Sequence, residues 1–259
     1  MSTPFLTMSD VDYSIGSKTI LSGIDLTLQA GRIYGLVGPN GSGKSTLLKI
    51  IARQIAPISG FLSIEGKPAR EWGNRAFARS VAYMPQFTPA TDGMTVRELV
   101  ALGRFPWHGT LGRFTASDRD LVEEAITRTD LADFADRMVA NMSGGERQRA
   151  WIAMMLAQNS RCLLLDEPTS ALDLAHQAGV LSLVQSLSHE RGLTVVIVLH
   201  DINLASRYCD EIIALNRGEI TAQGTPSEIM QSEMLQTIFG VGMGVFSHPS
   251  RGEPVSYLL

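Results

Sequence analysis

Eight consecutive residues, Gly38-Pro39-Asn40-Gly41-Ser42-Gly43-Lys44-Ser45, combine the side-chain types that hold a phosphate. The glycines let the backbone curl with no Cβ in the way, so successive N–H groups can point into one hollow. In such a loop the lysine, Lys44, reaches the β- and γ-phosphates and the Ser45 hydroxyl ligates Mg²⁺. The stretch follows the apolar run Ile33 to Val37 and opens a segment, Thr46 to Ala52, that reads as a helix. That order places the hollow at the positive end of a helix dipole, where an anion is favoured. An accidental glycine-rich turn is the alternative. At a glycine usage of ~7%, the four fixed positions recur in roughly one chain of this size in a hundred. Nucleotide binding is the expectation.

Four more stretches carry polar chemistry at places where a strand ends or a helix begins. Cys162-Leu163-Leu164-Leu165-Asp166-Glu167 is a buried strand closing on two carboxylates, which would face the ligand crevice of an open α/β sheet. Asp166 suits holding Mg²⁺, directly or through water, and Glu167 suits a base that orients an attacking water. Ser143-Gly144-Gly145-Glu146 opens a helical stretch, Arg147 to Gln158, and offers a hydroxyl and N–H groups as a second anion site or simply as a helix cap. His200 follows the apolar strand Thr194 to Leu199, where it can meet a γ-phosphate or serve a turn. Gln86, just past the strand Val81 to Met84, can ligate Mg²⁺ through its amide oxygen or remain surface.

The elements that must position these residues read as an α/β body with an insertion. Leu6 to Met8, Thr19 to Leu21 and Ile24 to Leu28 form an antiparallel patch ahead of the phosphate loop, and Phe61 to Ile64 and Val81 to Met84 are further strands around a helix from Asn74 to Arg79. Thr88 to Gly93 is a loop by composition. Thr95-Val96-Arg97-Glu98 has the spacing of a capping box, and a second helix runs from about Ser117 to Arg128. Residues 87–142 therefore form a helical lobe, which becomes 87–155 with the helix after Ser143. Residues 1–86 and 156–259 make the body of a single domain. The runs Cys162 to Leu165 and Thr194 to Leu199 are nearly continuous in apolar residues, as parallel strands covered on both faces are. A helix is expected over Pro226 to Phe239, with nothing legible beyond it.

The bulk numbers exclude more than they assign. The 259 residues are 44% apolar and 19% charged, with a net charge of −4. That charge and a pI near 5.7 give no overall electrostatic reason to bind nucleic acid, and a mean hydropathy of +0.08, slightly apolar for a free-standing protein, reads as surface reserved for partners. Cys162 and Cys209 lack C-x-x-C spacing, so reduced thiols are expected rather than a disulfide or zinc. Met1 to Asp10 has neither a basic start nor an apolar core, so no signal peptide is expected. No run approaches the ~18 apolar residues of a membrane span.

Together these stretches resemble the ATP-binding cassette family over nearly the whole chain. Gly38 to Ser45 matches its Walker A loop, and Cys162 to Asp166 with Glu167 its Walker B strand and catalytic glutamate. Met142-Ser143-Gly144-Gly145-Glu146 is similar to its signature, with Met for the usual Leu and Glu for the usual Gln. Ser170-Ala171-Leu172-Asp173 matches the D-loop, His200 the switch histidine and Gln86 the Q-loop. The resemblance implies a P-loop α/β fold with a mostly parallel central sheet, an N-terminal antiparallel patch and an inserted helical subdomain. It implies ATP and Mg²⁺ as ligands, with ATP on residues Gly38 to Thr46 and Gln86, and Mg²⁺ on Ser45, Gln86 and Asp166. Catalysis falls to Glu167 and His200, and Asp173 marks the D-loop. It further implies two cassettes paired head to tail, with Ser143, Gly144, Gly145 and Glu146 of one covering ATP on the other. At the adenine position the family's aromatic is replaced by Ile15, with Tyr13 two residues earlier as the other platform.

The stretch Val96 to Phe114, with Gly103-Arg104-Phe105-Pro106-Trp107-His108-Gly109 and Leu111-Gly112-Arg113-Phe114, together with Gly145 to Trp151 and Leu199 to Asp210, is similar to the iron-siderophore branch, in particular to the ATPases of ferric hydroxamate importers. That implies a peripheral protein on the cytoplasmic face of a bacterial inner membrane, an integral permease and a periplasmic siderophore-binding protein as partners, and cargo selection by those partners. A haem or cobalamin importer, a soluble cassette acting on ribosomes or DNA, and a regulatory module without turnover remain alternatives. The aromatics and arginines of Phe105 to Phe114 either receive the permease or pack the lobe itself.

Overall fold

The computed structural model describes residues 4–89, 91, 93–109, 112–170 and 172–259. Ala90 and Asp92 of the expected loop, Leu111 of the aromatic stretch and Ala171 of the D-loop lie outside the described residues. The backbone divides into two compact units, residues 1–72 with 187–259, and residues 73–186.

In the first unit the apolar run Ile33–Val37 is a strand buried at every position. It lies parallel to Thr194–Val198 on one side and to Glu211–Asn216 on the other, and Glu219–Gly224 adds an antiparallel edge. Each buried Leu, Ile or Val in such strands contributes about 1.5–3 kcal/mol on leaving water. A second, antiparallel sheet has Leu6–Ile15 at its centre, between Lys18–Leu28 and Ser59–Ile64. Thr19 to Leu28 was expected as two strands. It is one, because Gly23 takes a positive φ of 57° and absorbs the irregularity without breaking the ladder.

The stretch Pro226 to Phe239 is two helices, Pro226–Ile229 and Ser232–Phe239, rather than one. Gln231 Nε2 donates to the Ser227 carbonyl at 2.8 Å, the acceptor that residue 231's own N–H would have used in a continued helix. Met230, 1% exposed, is turned into the core instead. The tail that showed no pattern is a hairpin, Met243–Ser247 against Pro254–Leu258.

The second unit pairs Val81–Met84 in parallel with Cys162–Leu165. Its helices include Val96–Leu102, Phe105–His108, Ala116–Arg128 and Gly144–Ala157. The expected capping box is present: Glu98 N–H donates to Thr95 Oγ1 at 3.3 Å and Thr95 N–H to Glu98 Oε2 at 2.8 Å. Arg104 is buried and ties three helices together. Its Nε donates to Asp118 Oδ1 and its Nη1 to the Ala157 carbonyl, both at 2.8 Å. Burial alone would push the Asp118 carboxyl up, but bonds from the Thr115 hydroxyl and N–H and from Arg104 outweigh it and hold the group at about 2. Both cysteines are buried and free.

Candidate functional site

The phosphate loop joins the C-terminal end of the strand Ile33–Val37 to the helix Lys44–Ile51, which begins at Lys44 rather than at Thr46. Gly38 and Gly43 hold φ of 139° and 107°. A Cβ on Gly43 would lie 2.6 Å from Leu21 Cδ2, and one on Gly38 would overlap the Leu215 carbonyl, so both positions need glycine. The loop is anchored from outside by Gly218 N–H donating to Ser42 O at 3.0 Å.

Lys44 is 5% exposed, and its Nζ donates to the carbonyls of Gly38 and Pro39, both at 2.9 Å. A buried ammonium curled across its own loop leaves a concentrated positive charge at the helix start. That helix has no acid in its first turn and no side-chain cap among the described residues. Ser42 Oγ is buried with no hydrogen-bond partner among the described residues. An orphaned hydroxyl costs about 1–3 kcal/mol, and an anion seated in the loop would satisfy it. The cradle, the ammonium and the orphan fit a phosphate group.

His200 stands at the same end of the same sheet. Leu36 pairs with Val198, and Leu199 N–H donates to the Leu36 carbonyl at 3.1 Å, so the loop and the histidine leave adjacent strands side by side. Asp201 then caps the helix Ile202–Tyr208, its Oδ1 accepting from Asn203 N–H at 2.8 Å. Ile15, at the end of its strand, is 63% exposed, and Tyr13 is half-buried. The pairing with the neighbouring strand shifts by one residue between Tyr13 and Ser14.

In the second unit, Asp166 is 2% exposed, at the end of the strand Cys162–Leu165. Burial pushes the neighbouring Tyr83 phenol up to about 12, and the Asp166 charge adds to the shift. Tyr83 gave no signal in the sequence beyond a strand position. Glu167 has φ 52°, a left-handed conformation costing on the order of 1–3 kcal/mol for a residue with a side chain. Its Oε2 accepts from Gln86 Nε2 at 2.6 Å. The two residues, 81 positions apart, are thus in direct contact, and the Gln86 amide donates its N–H to the carboxylate.

The turn at Ser143 is a complete capping box on the helix Gly144–Ala157. Glu146 N–H donates to Ser143 Oγ at 3.3 Å, and Ser143 N–H to Glu146 Oε2 at 2.8 Å. Bonds from the Ser143 backbone and hydroxyl hold the Glu146 carboxyl below the usual carboxylate range. Asp173 Oδ1 accepts from His176 N–H at 2.9 Å and meets His176 Nδ1 at 2.8 Å. The His176 ring packs over Gly145, where an added Cβ would lie 2.9 Å from its Cγ. His176 thus joins the Asp173 loop to the Ser143 turn, a role invisible in a linear sequence.

Trp107 is held between two cations, the Arg79 and Arg104 guanidinium carbons lying 4.8 and 4.9 Å from its ring centroid. Its Nε1 donates to the Gln158 carbonyl at 2.7 Å. Trp107 is thus tied to the unit by these contacts while remaining 37% exposed, and Leu102, Phe105 and Phe114 stand about half exposed.

The chain has relatives of known name. A family profile described as ABC transporter matches residues 21–170. The achromobactin transport ATP-binding protein CbrD of Dickeya dadantii (strain 3937) is 40% identical over 244 residues, 94% of this chain and 91% of that protein. The iron(3+)-hydroxamate import ATP-binding protein FhuC of Bacillus subtilis (strain 168) is 38% identical over 250 residues, 96% of this chain and 93% of its own. A solved chain described as belonging to a metal-chelate type ABC transporter, in an inward-facing conformation, is similar with a TM-score of 0.87 at 27% identity. That match covers 100% of this chain and 98% of the other.

Proposed function

The chain belongs to the ABC transporter family, and from that premise we propose that it is the ATP-hydrolysing subunit of a bacterial importer for iron(III)–siderophore chelates, with ferric hydroxamate as the cargo. The observation that carries the ATP reading is the phosphate loop, with its buried Lys44 ammonium and the orphaned Ser42 hydroxyl. The cargo reading rests on the similarity to the achromobactin and iron(3+)-hydroxamate proteins.

In this reading the residues Gly38 to Thr46 grip the triphosphate of ATP, and Ile15 supports the adenine by dispersion. Ser45, Gln86 and Asp166 supply the hydroxyl, amide and carboxylate oxygens that Mg²⁺ prefers. When bound, the ion neutralises charge on the transferring phosphoryl group. Glu167 accepts the proton of the attacking water, and the bond from Gln86 fixes its carboxylate for that task. His200 meets the γ-phosphate from the neighbouring strand end. A second copy contributes Ser143, Gly144 and Gly145 across the nucleotide, with Asp173 and His176 behind them, so ATP favours pairing and hydrolysis releases it.

The segment 87–155 acts as the helical subdomain that receives the permease. Its exposed Phe105 and Phe114 are the docking side chains, and Trp107, anchored on Arg79, Arg104 and the Gln158 carbonyl, holds the segment between them. No helix among the described residues is long and apolar enough to cross a membrane. In this reading the chain works as a peripheral subunit on the cytoplasmic face of the inner membrane, as its similarity to import ATP-binding proteins suggests. Its partners there are the permease and, through the complex, a periplasmic siderophore-binding protein.

The cargo is tested by deleting the gene and measuring uptake of ferric hydroxamate, a ferric catecholate, haem and cobalamin separately. Loss of hydroxamate uptake alone, restored by the intact gene, supports the assignment. Loss of haem or cobalamin uptake instead moves the cargo and leaves the ATPase reading standing. Phe105→Ala should reduce membrane recruitment without changing ATP affinity; unchanged recruitment would remove the docking role.

A further inference from the structure

The C-terminal hairpin is bolted to the helix that follows His200. Asn203, in the first turn of Ile202–Tyr208, pairs with Ser256 in both directions, as a neighbouring strand would. Its Oδ1 accepts from Ser256 N–H at 2.8 Å and from Ser256 Oγ at 3.0 Å, and its Nδ2 donates to the Ser256 carbonyl at 3.1 Å. One turn on, Ser206 Oγ donates to the Pro254 carbonyl at 3.0 Å. Ser206 and Ser256 are both buried, so these bonds are shielded from water. Beside helix and hairpin lies an open pocket of about 470 Å³, lined by His200 and Asn203, by Phe239 of the helix Ser232–Phe239, and by Met243, Tyr257 and Leu258 of the hairpin.

The consequence falls on His200. The residues from Leu199 to Asp201 link strand to helix, and the strand end is fixed by the bond from Leu199 N–H to Leu36. The helix end is fixed by the Asp201 cap and then, two residues later, by Asn203 on the hairpin. Remove the second fixing and the helix end of the link keeps only the Asp201 cap and the packing of Ala205 against the strand Ile33–Val37. Neither contact reaches the face that opens on the pocket, so the first turn of the helix loses its hold on that side.

We propose that Asn203 is a positioning residue for ATP turnover, locking the hairpin Met243–Leu258 to the helix Ile202–Tyr208 so that His200 stays aimed at the γ-phosphate. The proposal rests on the reading of His200 given above. A displacement of about 1 Å at a group that contacts the reacting phosphate commonly costs up to ~10²-fold in rate. An effect on the order of tenfold on kcat is expected for Asn203→Ala, with KM for ATP within about twofold, because the phosphate loop is untouched.

The test is a double-mutant cycle on ATP turnover by the full chain in its permease complex, comparing wild type, Asn203→Ala, His200→Ala and the double variant. Asn203→Asp keeps the acceptor for Ser256 N–H and Oγ but loses the donor, and should recover part of the rate. Positioning through His200 requires that Asn203→Ala cost nothing further once His200 is gone, even though thermal melting shifts equally in both backgrounds. An equal fold loss in both backgrounds, or no loss in the single variant, overturns the proposal. Should His200→Ala turn over normally, the reading of His200 has failed and the proposal falls with it. If Asn203→Ala does not fold, Ser256→Ala, which removes only the Oγ bond, is read in the same cycle.

Discussion

Two turns in this molecule lead into helix N-termini, and they manage the positive end of the helix in opposite ways. The turn Gly38 to Ser45 keeps that charge: Gly43 supplies no side-chain cap, no acid stands in the first turn, and Lys44 adds a buried ammonium. The turn Ser143 to Glu146 spends it internally, because the Glu146 carboxylate already sits on the Ser143 N–H in a closed capping box. An anion brought to the first turn meets the helix start, the Lys44 ammonium and no acid in that turn, and one brought to the second meets N–H groups, a hydroxyl and a nearby negative charge. The difference matches the proposed division of labour. The first turn grips ATP by itself, and the second turn, from another copy, closes over it weakly enough to let go.

The largest expected effect breaks the first turn. Lys44→Ala removes the charge that makes the loop a grip, and ATP affinity should fall on the order of 10²-fold, the cost of deleting one partner of a buried charge pair. Isothermal titration with Mg-ATP measures it. An affinity within a few-fold of wild type would mean that the backbone cradle alone holds the nucleotide, erasing the contrast between the turns. Glu167→Gln separates gripping from release. It keeps the amide-sized partner for Gln86 but loses the base, so turnover should fall about 10²–10⁴-fold while ATP binding persists. The bound state should then accumulate as pairs of chains on size exclusion, and monomers alone would remove the trans role of Ser143.

These regions differed in how far they could be read in the sequence, for physical reasons. The phosphate loop is local: eight residues in a row carry both the backbone freedom and the charge, so type and spacing suffice. The capping box at Thr95 and Glu98 is local too, and the buried strand Cys162–Leu165 declares itself as an unbroken apolar run. What was not legible depends on residues far apart. Gln86 meets Glu167 across 81 positions, and Asn203 meets Ser256 across 53. Arg104, next to the stretch Phe105 to Phe114 that looked like a docking surface, is buried on Asp118, and nothing in its neighbours along the chain says so. The hairpin at the end was hidden because its strands are five residues long, with mixed burial and no clean alternation.

A smaller effect is expected at the second turn. Ser143→Ala removes one side of the capping box, which is worth about 1 kcal/mol at a helix start, or roughly 2–4 °C in Tm for a chain of this size. ATP affinity of the isolated chain should not change, because the first turn is intact. Turnover in the complex should fall more than the melting shift explains, since the hydroxyl is also offered to the partner's nucleotide. A proportional fall would make Ser143 a cap and nothing more.

The smallest effect is the most specific to the contrast. Glu146→Gln keeps the shape of the capping box and removes its charge, making the second turn electrically more like the first. The Glu146 carboxyl titrates lower in the folded chain than its ordinary value because of the Ser143 N–H and hydroxyl. A depressed folded value means its stabilisation is present above the unfolded value of about 4.3 and is lost as pH falls below it. The Tm gap between wild type and Glu146→Gln should therefore be about 1–2 °C at pH 7, shrinking as the pH drops from ~5 toward ~3. At neutral pH the same variant should pair more readily with ATP bound, since the partner's phosphates no longer face a carboxylate. A constant Tm gap with unchanged pairing would show that the two turns differ in sequence but not in charge, and the weak-closure argument would have to rest on geometry alone.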